Sequence, residues 1–194
     1  IPVAGIIPMI EGDGSRIITK SGKDRFNETF RILRNNILFM NGEVKGGRVL
    51  MMTSTMSGDG KSLVAYNIAL SFAYAGEKVL LINSDIRKRE SWHGTKEKYK
   101  HGLTTYLSAQ DESFEELIES DTIYPDLKVI HNGPIPPNPA ELLMSKRFDQ
   151  LVDWARQHYE IIIIDCVPID IVADATIVNR LVDATFFVIK EKTS

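Results

Sequence analysis

A lysine followed by a hydroxyl residue and preceded by glycines is a combination suited to gripping a phosphate chain. Residues 48–62 supply it, as Arg48-Val-Leu-Met-Met-Thr-Ser-Thr-Met-Ser-Gly-Asp-Gly-Lys-Ser62. An apolar, strand-like run enters a loop of small residues, and a helix-forming segment starts at once. Small or flexible residues at Ser57, Gly58 and Gly60 let successive backbone N–H groups turn toward one anion, and the helix N-terminus adds partial positive charge. Lys61 is long enough to reach terminal phosphates, and the Ser62 hydroxyl suits Mg²⁺. The common pattern has glycine where this chain has Thr55. The bland alternative is a strand-to-helix turn that happens to contain Gly-Lys-Ser.

Two further segments end in groups that could serve the same chemistry. Lys78 to Ile82 is apolar after its first residue and is followed by Asn83, Asp85 and Arg87. Polar side chains at the carboxyl end of a buried strand project into the crevice where open α/β sheets bind ligands. Glu160 to Asp165 places four isoleucines before a carboxylate. Asp165 can hold Mg²⁺ directly or through a coordinated water, because that ion keeps several waters and takes only one or two carboxylates. Alone, Asp85 or Asp165 is equally well explained as a helix cap or a solvated strand end. Their order after the glycine-containing loop, each at a strand's end, argues for one site.

Elements must carry these residues. Short aliphatic runs at 48–53, 78–83, 127–131, 159–165 and 184–190 predict buried strands. Helical spacing predicts helices over 61–75, stopped by Gly76, and over 140–157, entered through the stiff 133–139 turn. Alternation of the two predicts an α/β fold: a mostly parallel sheet covered by helices on both faces. Ahead of it, 24–40 reads as an amphipathic helix with Phe26, Phe30, Leu33, Ile37 and Met40 on one side, and 87–108 as a polar surface excursion.

Composition narrows the field. The 194 residues are 43% hydrophobic and 25% charged, within the ordinary globular range. With 23 basic against 26 acidic residues the net charge is −3, which argues against a nucleic-acid module working by bulk charge. One cysteine, Cys166, excludes a disulfide framework and reads as a small buried side chain. Four histidines, at 93, 101, 131 and 158, share no metal-ligand spacing. No apolar run approaches the roughly 18 residues of a membrane span. The chain begins with Ile1 and is read as a fragment of a longer protein.

The motifs together resemble the cytoplasmic kinase domain of bacterial tyrosine kinases that control capsular and extracellular polysaccharide synthesis. The 53–62 loop is similar to that family's Walker A, 82–87 to its second acidic motif, and 161–168 to its Walker B; the 133–143 segment also follows its pattern. The resemblance implies a P-loop NTPase-like fold, with 1–45 as a juxtamembrane segment and oligomerisation helix and 46–194 as the nucleotide-binding domain. It implies ATP or ADP with Mg²⁺ held by Ser57, Gly58, Asp59, Gly60, Lys61, Ser62 and Leu63. Ser62, Asp85 and Asp165 would set the metal, and Lys61, Asn83, Asp85 and Arg87 would act on the transferred group. Glu28, Arg31 and Arg34 fit the family's Glu-x-x-Arg-x-x-Arg motif, which implies contacts between subunits of a ring. Their spacing alone fits a solvated face laced by one ion pair. The resemblance further implies a membrane co-polymerase or activator partner and tyrosine substrates, with no nucleic acid, at the inner face of the bacterial membrane.

Two departures matter. The family has aspartate where this chain has Asn83, and an amide cannot accept a proton from tyrosine in the useful range. A slow kinase, a nucleotide-binding module without efficient transfer, and a substitution that traps a state are the three readings. The tyrosines, at 66, 74, 99, 106, 124 and 159, are scattered with none in a tail. Arg87 could pair with a phosphate or an acidic partner, and Asp174 could be a family aspartate or a helix cap. A partition-type ATPase is the competing enzyme class, but its signature lysine falls at Met56.

Overall fold

A computed structural model describes residues 2–8, 16–40, 42–88, 92, 99–110, 113–169 and 173–191. The elements run α1 (Arg25–Met40), β1 (Arg48–Ser54), α2 (Lys61–Tyr74), β2 (Val79–Asn83), α3 (Leu103–Leu107), β3 (Glu119–Ser120), β4 (Lys128–Ile130), α4 (Pro139–Leu143), α5 (Lys146–His158), β5 (Ile161–Asp165), α6 (Asp174–Asn179) and β6 (Ala184–Val188). The sheet has the order β3-β4-β2-β5-β1-β6. All neighbours are parallel except β3, which pairs antiparallel with β4 at the edge.

Strand alternation divides the core into two layers, because successive side chains leave opposite faces of a strand. Leu50, Met52, Val79, Leu81, Ile161 and Ile163 meet α1 and α2 on one face. Val49, Met51, Leu80, Ile82, Ile162 and Ile164 meet the buried residues of α3, α4, α5 and α6 on the other. Burial on both sides is why β1, β2 and β5 read as unbroken apolar runs rather than alternating ones. The expected α/β architecture with helices on both faces is what forms.

Helix α1 lies against α2, so α2 is apolar nearly all round: Tyr66, Ile68, Leu70 and Phe72 are all buried. Asp24 starts α1 by accepting from the N–H groups of Phe26 (3.0 Å) and Asn27 (3.3 Å), which satisfies two otherwise orphaned donors. Arg34 donates to the Ser71 carbonyl of α2 at 2.9 Å and fastens the two helices.

Three expectations are corrected. The helix predicted over 140–157 is two helices, because Ser145 is extended at ψ 151° and turns the chain. The turn lets Leu143 and Phe148 both reach the same core cluster. Second, the 87–108 segment is not wholly a surface excursion: α3 is buried throughout, and Tyr106 is covered with it. Third, Asp174 does not cap α6 but is its first residue. Among the described residues, no helix is long and apolar enough to cross a membrane. His93 and Arg89 lie outside them.

Candidate nucleotide-binding site

Strand register brings the chemistry together. Met52 and Asn83 are both level with Asp165, so β1, β2 and β5 finish side by side at one end of the sheet. The loop from Thr55 to Gly60 and the start of α2 stand over that end.

The loop is built for backbone presentation. Gly58 and Gly60 hold φ of +92° and +85°, the left-handed region that glycine enters without strain. Asp59 folds the loop on itself: its Oδ2 accepts from the Met56 N–H at 3.0 Å and from the Thr55 hydroxyl at 3.1 Å. This accounts for threonine where glycine is usual, since Thr55 avoids positive φ and uses its hydroxyl as a brace. Asp59, expected among the nucleotide-holding residues, also braces the loop. Ser57, Gly58 and Gly60 are exposed at the mouth, and Ser62 and Leu63 open the 14-residue α2.

Beneath the loop, Lys61 is almost fully buried and its ammonium sits 2.5 Å from Asp165 Oδ1. Burial disfavours the charged lysine, but its pairing and hydrogen bond with Asp165, together with the nearby Asp85, hold its pKa above the ordinary value. Lys61 also donates to Ser62 Oγ at 3.0 Å. The other Asp165 oxygen accepts from the Trp92 indole N–H at 3.0 Å. Ser84 donates to the Asp165 carbonyl through both its N–H (2.9 Å) and its hydroxyl (3.0 Å), tying the ends of β2 and β5.

Asp85 is different. It is 9% exposed, and its Oδ1 has no hydrogen-bond partner. Burial pushes its pKa up, Lys61 offsets this, Asp165 adds to it, and Lys88 offsets it further. The Asp85 N–H donates to Asn83 Oδ1 at 3.1 Å. An unpartnered buried carboxylate oxygen is costly and fits a cation supplied from outside the chain. Among the described residues there is no cluster of three or more metal-binding side chains. Mg²⁺ binds through one or two carboxylates plus phosphates and water, and Asp85 and Asp165 are carboxylates of that kind at the strand ends.

Arg87 is engaged by α6. Its Nε and Nη2 donate to the two oxygens of the fully buried Asp174 at 2.7 and 2.9 Å, a bidentate pair joining β2's end to α6. Of the two partners considered for Arg87, the acidic one is present. Glu28 and Arg31 form an ion pair on α1, and Arg34 is engaged with α2. Cys166 is fully buried and its thiol is pushed up to about 12, chiefly by burial, so it is no nucleophile at neutral pH. None of the six tyrosines is exposed. Tyr66 donates to Asp121 within the core, and burial raises its pKa.

Sequence reasoning missed Trp92, Lys88 and Asn132. The Asn132 amide donates to the carbonyls of Asp85 (2.9 Å) and Lys88 (2.6 Å) and so shapes the turn carrying both. A polar residue just after the β4 run is the same signal that marked Asn83. Nothing local marks Trp92.

The sequence matches the AAA domain family across residues 47–192. Tyrosine-protein kinase YwqD of Bacillus subtilis is 39% identical over 163 residues, spanning 84% of this chain and 68% of the relative. The chain belongs to the bacterial tyrosine-protein kinases. The kinase domain of Escherichia coli tyrosine kinase Etk superposes with a TM-score of 0.85 at 33% identity, covering 97% of this chain and 77% of that one. In sequence this chain spans only 22% of the whole Etk protein. The Pyrococcus furiosus cell division ATPase MinD matches with a TM-score of 0.58 at 18% identity, a likeness of P-loop ATPase fold alone. The kinase family is thus shared in sequence and fold, the partition-type ATPases in fold only.

Proposed function

We propose that the chain is an ATP-dependent protein-tyrosine kinase that uses Mg²⁺, phosphorylates tyrosines of a neighbouring subunit and regulates capsular or extracellular polysaccharide synthesis at a membrane. The observation that carries the catalytic part is the convergence of Lys61, Asp85 and Asp165 beneath one glycine-containing loop, with Asp85 holding a bare oxygen. The loop amides and the α2 N-terminus bind the phosphates, and Lys61 leaves Asp165 to meet them. Ser62, Asp85 and Asp165 are the residues that would hold Mg²⁺, which when bound neutralises phosphate charge. The acceptor tyrosine comes from another polypeptide region, since all six tyrosines here are at least partly covered. The outer face of α1, with Glu28 and Arg31, is the surface proposed for ring contacts; Arg34, on the same helix, fastens it to α2.

Asn83 favours a second reading, a nucleotide-gated assembly module with little transfer. Its carbonyl orients the Asp85 amide but takes no proton from a tyrosine hydroxyl. One comparison separates the two: phosphotyrosine formed by the native sequence, by Asn83→Asp and by Lys61→Met. A kinase slowed at this position gains about 10²- to 10⁴-fold in Asn83→Asp and loses its signal in Lys61→Met. No phosphotyrosine in either of the first two, with ATP still bound, overturns the kinase reading for the module.

A further inference from the structure

Two loops meet over the sheet's end, and a side chain not yet assigned a role bridges them. Lys88 leaves the turn after β2, and its ammonium donates to Ser57 Oγ at 2.6 Å. Ser57 is exposed on the phosphate-binding loop, and Lys88 is half-buried. The turn carrying Lys88 is fixed from below, because the buried Asn132 binds the carbonyls of both Asp85 and Lys88. Lys61 and Lys88 therefore belong to different elements around the loop, one at the start of α2 and one in the turn after β2.

Charge supplies the reason for a second lysine. Lys61 is already neutralised by Asp165, while Asp85 faces the same space with an oxygen unmatched. A nucleoside triphosphate brings one more phosphate charge than a diphosphate. With asparagine at 83, the ends of β2 and β5 carry two carboxylates, Asp85 and Asp165, so one fewer competes for Lys88 than an aspartate at 83 would add. The loop amides from Gly58 to Ser62 cradle the inner phosphates. A terminal phosphate bound beyond them would come near the ends of β2 and β5, where Asp85 has its unmatched oxygen and Lys88 reaches the loop.

Resting on the nucleotide-binding reading above, we infer that Lys88 exchanges its Ser57 contact for the γ-phosphate and lets the site distinguish nucleoside triphosphate from diphosphate. Lysine suits this exchange, since its ammonium is a compact point charge on a flexible stem. Asn132 acts as a positioning residue, holding the turn while the side chain moves.

The test is calorimetric binding of Mg²⁺ with a non-hydrolysable imido analogue of ATP, and separately with ADP. It uses the intact protein as the native sequence, Lys88→Met and Lys88→Arg. Thermal unfolding without nucleotide checks that each variant folds. Lys88→Met should weaken the analogue about tenfold while changing ADP less than about twofold, and Lys88→Arg should recover most of the loss. Equal losses for both nucleotides, or no loss for either, overturn the role in γ-phosphate discrimination and leave Lys88 a brace between loops. If the native protein binds neither nucleotide, the binding-site reading itself falls, and this inference with it.

Discussion

The carboxylates at the ends of β5 and β2 lie in one crevice, yet their circumstances are opposite. Asp165 is saturated: Lys61 takes one oxygen, Trp92 takes the other, and Ser84 doubly binds its carbonyl. Asp85 is nearly as buried and keeps one oxygen unmatched. The strand ends therefore divide two tasks. Asp165 is satisfied within the chain and must be released before it can serve a ligand. Asp85 carries a desolvation cost that a ligand can relieve. A site arranged this way stores its readiness at β2 and its restraint at β5.

Breaking the saturated side should have the largest effect. Lys61→Met leaves the Asp165 carboxylate buried with only the indole N–H on its side chain. Removing one partner of a buried ion pair costs about 3–5 kcal/mol, whereas removing both costs far less. Urea unfolding of ligand-free protein should show that loss in Lys61→Met and recovery of most of it when Asp165→Asn is added. A double variant no more stable than the single would mean that the pair is not what holds Asp165.

Trp92→Phe is a finer cut on the same side. It keeps an aromatic ring beside Tyr66 but deletes the N–H that reaches Asp165 Oδ2. Leaving a buried acceptor short of one donor costs about 1–3 kcal/mol. The expected result is a destabilised ligand-free state and a smaller deficit once Mg²⁺ and nucleotide are bound, read as a larger ligand-induced rise in Tm than the native protein gives. An unchanged rise would show that the indole N–H does not restrain Asp165.

These contrasts were only half visible in the sequence. The strands declared themselves because β1, β2 and β5 are buried on both faces, and a polar residue after each aliphatic run marked the crevice. The loop followed from its glycines and lysine. The state of each carboxylate did not, because partners come from distant segments: Lys61 and Asp165 are 104 residues apart, and Arg87 and Asp174 are 87. The break at Ser145 was hidden for another reason. Apolar spacing continues through it, and only packing of α4 and α5 against one core cluster requires the turn. The polar stretch after Arg87 concealed the buried α3, since Thr104 and Thr105 carry no apolar signal yet lie covered.

The smallest expected effect lies on the unmatched side, and its sign is opposite. Burial raises the Asp85 pKa, so its ionised form is less favourable in the folded chain than in the unfolded one. Above the ordinary carboxylate pKa, Asp85 therefore subtracts from stability. The penalty is relieved as pH falls through its raised folded value, the reverse of a salt-bridged aspartate. Asp85→Asn removes the charge at every pH, and ligand-free protein at neutral pH should gain about 1 kcal/mol. That gain should vanish below the ordinary carboxylate range, where Asp85 is protonated in both states. The same variant should lose Mg²⁺-dependent tightening of nucleotide binding. Asp85→Asn that lowers ligand-free stability at neutral pH would show that the carboxylate is already satisfied in the resting site, and the contrast between the two strand ends would collapse.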